Sequence, residues 1–226
     1  MTITATAAGL DCVVLPPRTG NRLVLLWHLL GTPGTPAAMA EALPLHAVDA
    51  WRAYLPLPPV PEGPDVLVDR YAPLVETALA ALPDALRELR AELGVPDDTP
   101  VDLVGGSAGG HTALLAAARD LVPVRRIAVV NPATDALSVA TVNDPHYEWS
   151  PRAREVERAL RVHPTTTAPV LIVRGAQEYP AMVPGQNALA RALPHARLVD
   201  LPDLAHMIDT PERASAVDRE VGAWLA

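Results

Sequence analysis

Apolar positions in this chain fall in short continuous blocks separated by helical stretches, with little strict alternation. The first block, Leu23 to His28, runs into Leu29-Leu30-Gly31-Thr32-Pro33-Gly34. Such runs suit strands covered on both faces, as in a parallel sheet. Ala50 to Leu57, Val101 to Val104, Arg126 to Val130, Pro169 to Arg174 and Ala196 to Leu201 read the same way. Helical patterns lie between them. They cover Pro36 to Ala42, Ala72 to Leu93 (interrupted at Pro83, with Gly94 as the stop), His111 to Leu121, Pro184 to Leu193 and Pro211 to Leu225. Strands alternating with helices predict an α/β fold around a mostly parallel sheet. Residues 133 to 168 break the alternation. Pro145 to Ser150 is polar and aromatic there, and Ser150-Pro151 opens an amphipathic helix reaching about Val162.

The 226 residues fit one domain, 1–226, with a substantial core and no internal repeat. Half the residues are hydrophobic although phenylalanine is absent, and the 25 prolines punctuate many short elements. A net charge of −8 argues against nucleic acid or an anionic membrane as a partner. Cys12 is the only cysteine, which rules out an internal disulfide and suits a small buried apolar position. Met1 to Gly9 lacks the basic start and apolar centre of a secretory signal, and no apolar run approaches membrane-spanning length. A soluble, cytoplasmic protein is expected; its oligomeric state is not readable.

The candidate chemistry begins at Val101-Asp102-Leu103-Val104-Gly105-Gly106-Ser107-Ala108-Gly109-Gly110. An apolar strand leads into Gly-x-Ser-x-Gly, and an alanine- and leucine-rich helix follows at once. The pentapeptide alone arises by chance in on the order of one chain in fifteen of this length, so the strand before and the helix after carry the weight. No Gly-Lys-Ser/Thr follows, which speaks against a phosphate loop. A serine at such a turn is pushed clear of the backbone, and the small Gly105 and Gly109 relieve clashes between strand and helix.

This strand, turn and helix resemble the nucleophile elbow of the α/β-hydrolase family, and the likeness extends along nearly the whole chain from Leu23. The resemblance implies an α/β-hydrolase fold, residues 133–168 as a small lid, and acyl transfer through a serine, an acid and a histidine in that chain order. Ser107 would be the nucleophile. His206, in Leu201-Pro202-Asp203-Leu204-Ala205-His206-Met207 after the last strand, matches the family's base. The other histidines fit less well: His195 in a turn, His111 as a packed or capping residue, His46 and His163 without a neighbouring pattern, and His146 in the lid. Glu178, in Val173-Arg174-Gly175-Ala176-Gln177-Glu178, stands where the family usually has aspartate, and Asp135 on the preceding connection is the rival. The amide of Ala108 would be one oxyanion donor and that of Leu29 the second, because His28-Leu29-Leu30-Gly31 keeps the histidine of the family's His-Gly-Gly segment but not its glycines.

Substrate contacts are expected from His28, Tyr147, Trp149, Tyr179 and Met207, with Met182 nearby. The partner implied is a small-molecule carboxylic ester of a small to medium acyl group. A carrier-bound acyl thioester is the alternative substrate, and a non-catalytic small-ligand binder the alternative of another class. The chemistry calls for no metal or organic cofactor, and no metal-ligand motif is present in the sequence.

Overall fold

The structure, a computed structural model, describes residues 2–226. Its strands are β1 (Ile3–Ala7), β2 (Leu10–Leu15), β3 (Arg22–Trp27), β4 (Ala50–Leu55), β5 (Val101–Gly106), β6 (Val124–Val130), β7 (Val170–Gln177) and β8 (Ala196–Ala205). Its helices are α1 (Pro36–Ala42), α2 (Ala72–Leu93), α3 (Ala108–Ala118), α4 (Ala136–Asn143), α5 (Pro151–Ala159), α6 (Val183–Ala192) and α7 (Pro211–Leu225), with a π-helical turn, Val66–Tyr71, leading into α2.

The strands form one sheet of eight in the order β1-β2-β4-β3-β5-β6-β7-β8. β1, β2 and β4 pair antiparallel, and every pair from β4 to β8 is parallel. The apolar runs resolve into two cores because successive side chains point to opposite faces. Leu23, Leu25, Trp27, Ile127, Val129, Val170 and Ile172 face α2, α3 and α6. Val24, Leu26, Ala128, Val130, Leu171 and Val173 face α1 and α7.

Three features depart from the sequence expectation. The chain opens with the β1–β2 hairpin, absent from the pattern analysis. Ala5, Ala7, Cys12 and Val14 are buried while Thr4 and Thr6 are exposed. That is a period of two, but alanine against threonine gives it little contrast. The two-residue turn places Ala8 and Gly9 at φ 50° and 74°, the positive values a tight hairpin turn requires at both central positions. Secondly, α2 runs unbroken through Pro83. A proline inside a helix costs about 3 kcal/mol relative to alanine. Here Pro83 lies on the exposed face, while Leu74, Ala78, Leu82, Ala85 and Leu89 bury a continuous stripe that offsets the lost hydrogen bond. Thirdly, residues 133–168 contain α4 as well as the expected α5.

At the amino ends of the strands, opposite the candidate site, a buried ion cluster ties the last helix to the sheet. Asp102, about 1% exposed, receives two bonds from Arg125 at 2.9 and 2.7 Å and has Arg22 at 3.7 Å. Arg22 and Arg125 also donate to the carbonyl of Leu225, and Arg126 to that of Trp224. These cations satisfy the free carbonyls and the negative dipole at the end of α7. Arg125→Met leaves the Asp102 carboxylate buried without its main partner and is expected to cost roughly 3–5 kcal/mol. Urea denaturation of the variant checks this, with Arg22→Met, whose side chain is farther from Asp102, losing less.

Candidate active site

Ser107 occupies the turn between β5 and α3 at φ 50°, ψ −115°. This left-handed backbone costs a non-glycine residue on the order of 1–3 kcal/mol and persists only where its surroundings enforce it. The enforcement is visible. The Ser107 amide donates to Val130 O at 2.9 Å, and its carbonyl accepts from His111 at 2.9 Å and Ala133 at 3.3 Å. A Cβ on Gly105 would strike the Gly109 backbone, one on Gly109 the His28 carbonyl, and one on Gly106 the Leu29 side chain. Strand, turn and helix therefore sit closer than any larger residue allows.

His206 follows β8 at the carboxyl end of the sheet, the same end as Ser107. Its Nε2 lies 2.9 Å from Ser107 Oγ and its Nδ1 2.6 Å from Glu178 Oε1. A carboxylate only accepts, so Nδ1 carries the proton and Nε2 presents a lone pair to the serine hydroxyl, which donates. Glu178 follows β7 and is buried. Its Oε1 also accepts from the amide of Tyr179 at 2.6 Å, and its Oε2 from Gln186 Nε2 at 3.3 Å. The ring of Tyr179 lies against the imidazole, with centroids 4.6 Å apart. The pairing of β7 with β8 slips between Gly175 and Gln177, just before Glu178.

Asn131 and Gln186 support this group, and nothing in their sequence pattern marked them. Asn131, at φ 45°, ends β6 and is fully buried. Its Nδ2 donates to the carbonyls of Ala205 at 2.7 Å and His206 at 3.0 Å, and its Oδ1 accepts from Gly175 N at 2.7 Å. One side chain thus fixes the loop of the histidine to the strand of the acid. Gln186, on α6, also donates to Pro132 O at 3.1 Å.

Several expected residues lie elsewhere. Asp135 caps α4, accepting from Ser138 N at 2.7 Å and Thr134 Oγ1 at 3.2 Å, and does not bond His206. The Leu29 amide donates to Pro33 O at 3.0 Å and its side chain is buried, so it cannot serve as an oxyanion donor. The amides of Leu30 and Ala108 donate to no group among the described residues. His28 is a buried structural residue. It accepts from Leu57 N on Nε2 at 3.0 Å, which leaves the Nδ1 proton for Leu29 O at 2.6 Å, and burial lowers its pKa. Tyr147 donates to Asp65 Oδ1 at 2.7 Å and meets Trp149 edge to face. Trp149 borders a separate groove of about 680 Å³ with Leu137 and with Arg154 and Arg158 of α5, which includes none of Ser107, His206 and Glu178. His146 is exposed and borders no cavity found beside the serine.

The cavity over Ser107 has a volume of about 360 Å³, within the range of small-molecule sites. Tyr179, Met182 and Met207 border it, as expected. Of residues 133–168, Ala133 and the α4 residues Val139, Val142 and Asn143 line it, whereas α5 contributes nothing. The facing wall is the π-helical turn, through Val66, Arg70 and Tyr71, in a stretch where proline clusters obscure any helical pattern. His111 holds that wall in place. Its ring accepts from Tyr71 Oη at 2.8 Å on Nδ1, leaving the Nε2 proton for Leu160 O at 2.7 Å.

A mostly parallel eight-stranded sheet with helices on both faces, and a serine elbow at the carboxyl end of its fifth strand, defines an α/β-hydrolase fold. Solved structures agree. TT1662 from Thermus thermophilus superposes with a TM-score of 0.72 at 19% identity, covering 100% of this chain and 98% of that one. A dienelactone hydrolase from Anabaena variabilis gives 0.66 at 18% identity, covering 99% and 95%. The esterase domain of a Rhodothermus marinus protein gives 0.64 at 18%, covering 99% and 96%. No family model matches the chain, and no curated protein matches it in sequence. Among the described residues, no helix is long and apolar enough to cross a membrane.

Burial lowers the pKa of His111 to about 4, so the folded state holds it neutral. The unfolded chain protonates this group near pH 6.5, hence the stability it contributes is complete above that pH and is lost as pH falls towards 4. By pH 4.5 the loss should reach on the order of 2–3 kcal/mol. Urea midpoints measured from pH 7 to 4.5 should fall less steeply for His111→Gln than for the parent.

Proposed function

We propose that the protein is a serine hydrolase that cleaves a carboxylic ester of a small to medium acyl group. The observation that carries this reading is the unbroken hydrogen-bond chain from Ser107 Oγ to His206 and on to the buried Glu178, at 2.9 and 2.6 Å. Each proton is already directed as acyl transfer requires. Ser107 Oγ attacks the carbonyl carbon as its proton passes to His206 Nε2. Glu178 stabilises the resulting imidazolium through Nδ1–H and holds the ring in the working tautomer. The tetrahedral oxyanion is held by the amides of Ala108, at the positive end of α3, and of Leu30 in place of the expected Leu29. Collapse expels the alcohol, which takes the proton from His206. Water then attacks the acyl-enzyme by the same route and releases the acid.

The printed names of two neighbours, a dienelactone hydrolase and an esterase domain, support an ester or lactone as the bond cleaved. The cavity combines valine, leucine and methionine side chains with polar ones, and its size suits a short acyl chain.

Labelling with a fluorophosphonate probe tests the nucleophile. The parent should label and Ser107→Ala should not, with ester turnover falling by a factor on the order of 10⁵–10⁶. Parent-like hydrolysis by the alanine variant would overturn the reading.

The acid is tested by comparing Glu178→Gln with Asp135→Asn. Removing the charge at Glu178 should lower kcat roughly 10³–10⁴-fold. Asn is as good a helix cap as Asp, so Asp135→Asn should stay within about twofold of the parent. A steeper fall for Asp135→Asn would reverse the assignment.

A further inference from the structure

Arg70 is the only permanently charged side chain among the residues lining the cavity over Ser107, where aliphatic side chains alternate with Tyr71, Asn143, Tyr179 and His206. It stands on the π-helical turn, where Val66, Arg70 and Tyr71 share one face. The turn is anchored at both ends. Asp65 caps its start, accepting from the amides of Leu67 and Val68 at 2.9 Å, and Tyr71 at its end bonds to His111. Arg70 is thereby presented from a held backbone rather than from a loose loop.

The guanidinium makes no ion pair and no hydrogen bond among the described residues, although acids lie close along the chain. Those acids are committed elsewhere. Asp69 Oδ2 accepts from the amide of Asp65 at 3.0 Å, and Asp65 Oδ1 accepts from the Tyr147 hydroxyl as well as from its own turn. Arg119, Arg125 and Arg174 pair with Glu76, Asp102 and Asp200, whereas Arg70, like Arg18, Arg158, Arg191 and Arg219, has no carboxylate partner among the described residues. Of these arginines Arg70 alone lines the cavity over Ser107, where its exposed side chain is suited to an anion entering from solvent.

We infer that the substrate carries a free carboxylate, and that Arg70 binds it while the ester carbonyl lies at Ser107. This deepens the serine-hydrolase reading and rests on it: the substrate class becomes an ester of a dicarboxylic acid, or an ester whose leaving alcohol bears a carboxylate. The planar fork of arginine matches a carboxylate in two parallel bonds.

The test uses two matched pairs of substrates with the parent, Arg70→Met and Arg70→Lys. One pair is 4-nitrophenyl hydrogen glutarate against 4-nitrophenyl valerate, with the charge on the acyl side. The other is 4-carboxyphenyl butyrate against phenyl butyrate, with the charge on the leaving group. The parent should favour the anionic member of one pair by tenfold or more in kcat/KM. Arg70→Met should reduce that ratio at least tenfold, Arg70→Lys should restore part of it, and added salt should shrink it in the parent and in Arg70→Lys but not in Arg70→Met. Ratios near one for both pairs, or a ratio unaffected by Arg70→Met, would overturn the inference while leaving the hydrolase reading intact. If no ester is turned over and the fluorophosphonate does not label Ser107, the hydrolase reading fails. Calorimetry with glutarate then decides the anion site by itself: binding weakened tenfold by Arg70→Met supports it, and binding that is absent or indifferent to Arg70 overturns it.

Discussion

The site depends on one close approach. Ser107 is held in a left-handed backbone because β5 and α3 meet with no side chain between them, and because α3 starts directly against the end of β3. Gly105, Gly106 and Gly109 are where that contact occurs, and a methyl group at any of them would push the serine away from His206. The backbone strain of the turn is offset by the packing of the two elements that flank it, both fully buried. In the proposed function, nucleophile and charge stabilisation would both come from this single local constraint, since Ala108 at the start of α3 directly follows Ser107.

The histidine and the acid depend on tertiary register instead. They arrive on different strands, and Asn131 connects both by its three hydrogen bonds. A short polar side chain at the end of a central strand can reach backbone on either side without a loop of its own. Glu178 follows the irregular pairing of β7 with β8, and Gln186 and the amide of Tyr179 both donate to its carboxylate. The amino ends of the strands are held differently. There Asp102 and three arginines hold the last helix by charge and by its open carbonyls.

Two walls enclose the cavity, and they differ in how they are stabilised. α4 begins at a side-chain cap, Asp135, which is why that carboxylate is not available to His206. The opposite π-helical turn is fixed through Tyr71 to a neutral buried His111, and through His111 to the end of α5. Trp149 and Tyr147 therefore stabilise the outer layer of the covering segment, while smaller aliphatic residues meet the space over the serine.

The sequence by itself determined the alternation of strands and helices and the elbow at Ser107, and it offered His206 and, with Asp135 as its rival, Glu178 as the residues to meet it. Each of these is written in local pattern: apolar runs, glycines at fixed spacing, and a polar residue just beyond a strand end. The β1–β2 hairpin was legible only in part, because alanine and threonine differ too little in hydrophobicity to show a period of two. Tertiary structure alone decided the choice of Glu178 over Asp135, since both carboxylates follow strands and only the hydrogen bonds each makes distinguish them. It also moved the free amide from Leu29 to Leu30 and removed His28, Tyr147 and Trp149 from the cavity. Which atoms face a cavity depends on how separate segments pack over it, and residues as distant in sequence as Arg70 and Val142 meet there through contacts that no local pattern encodes.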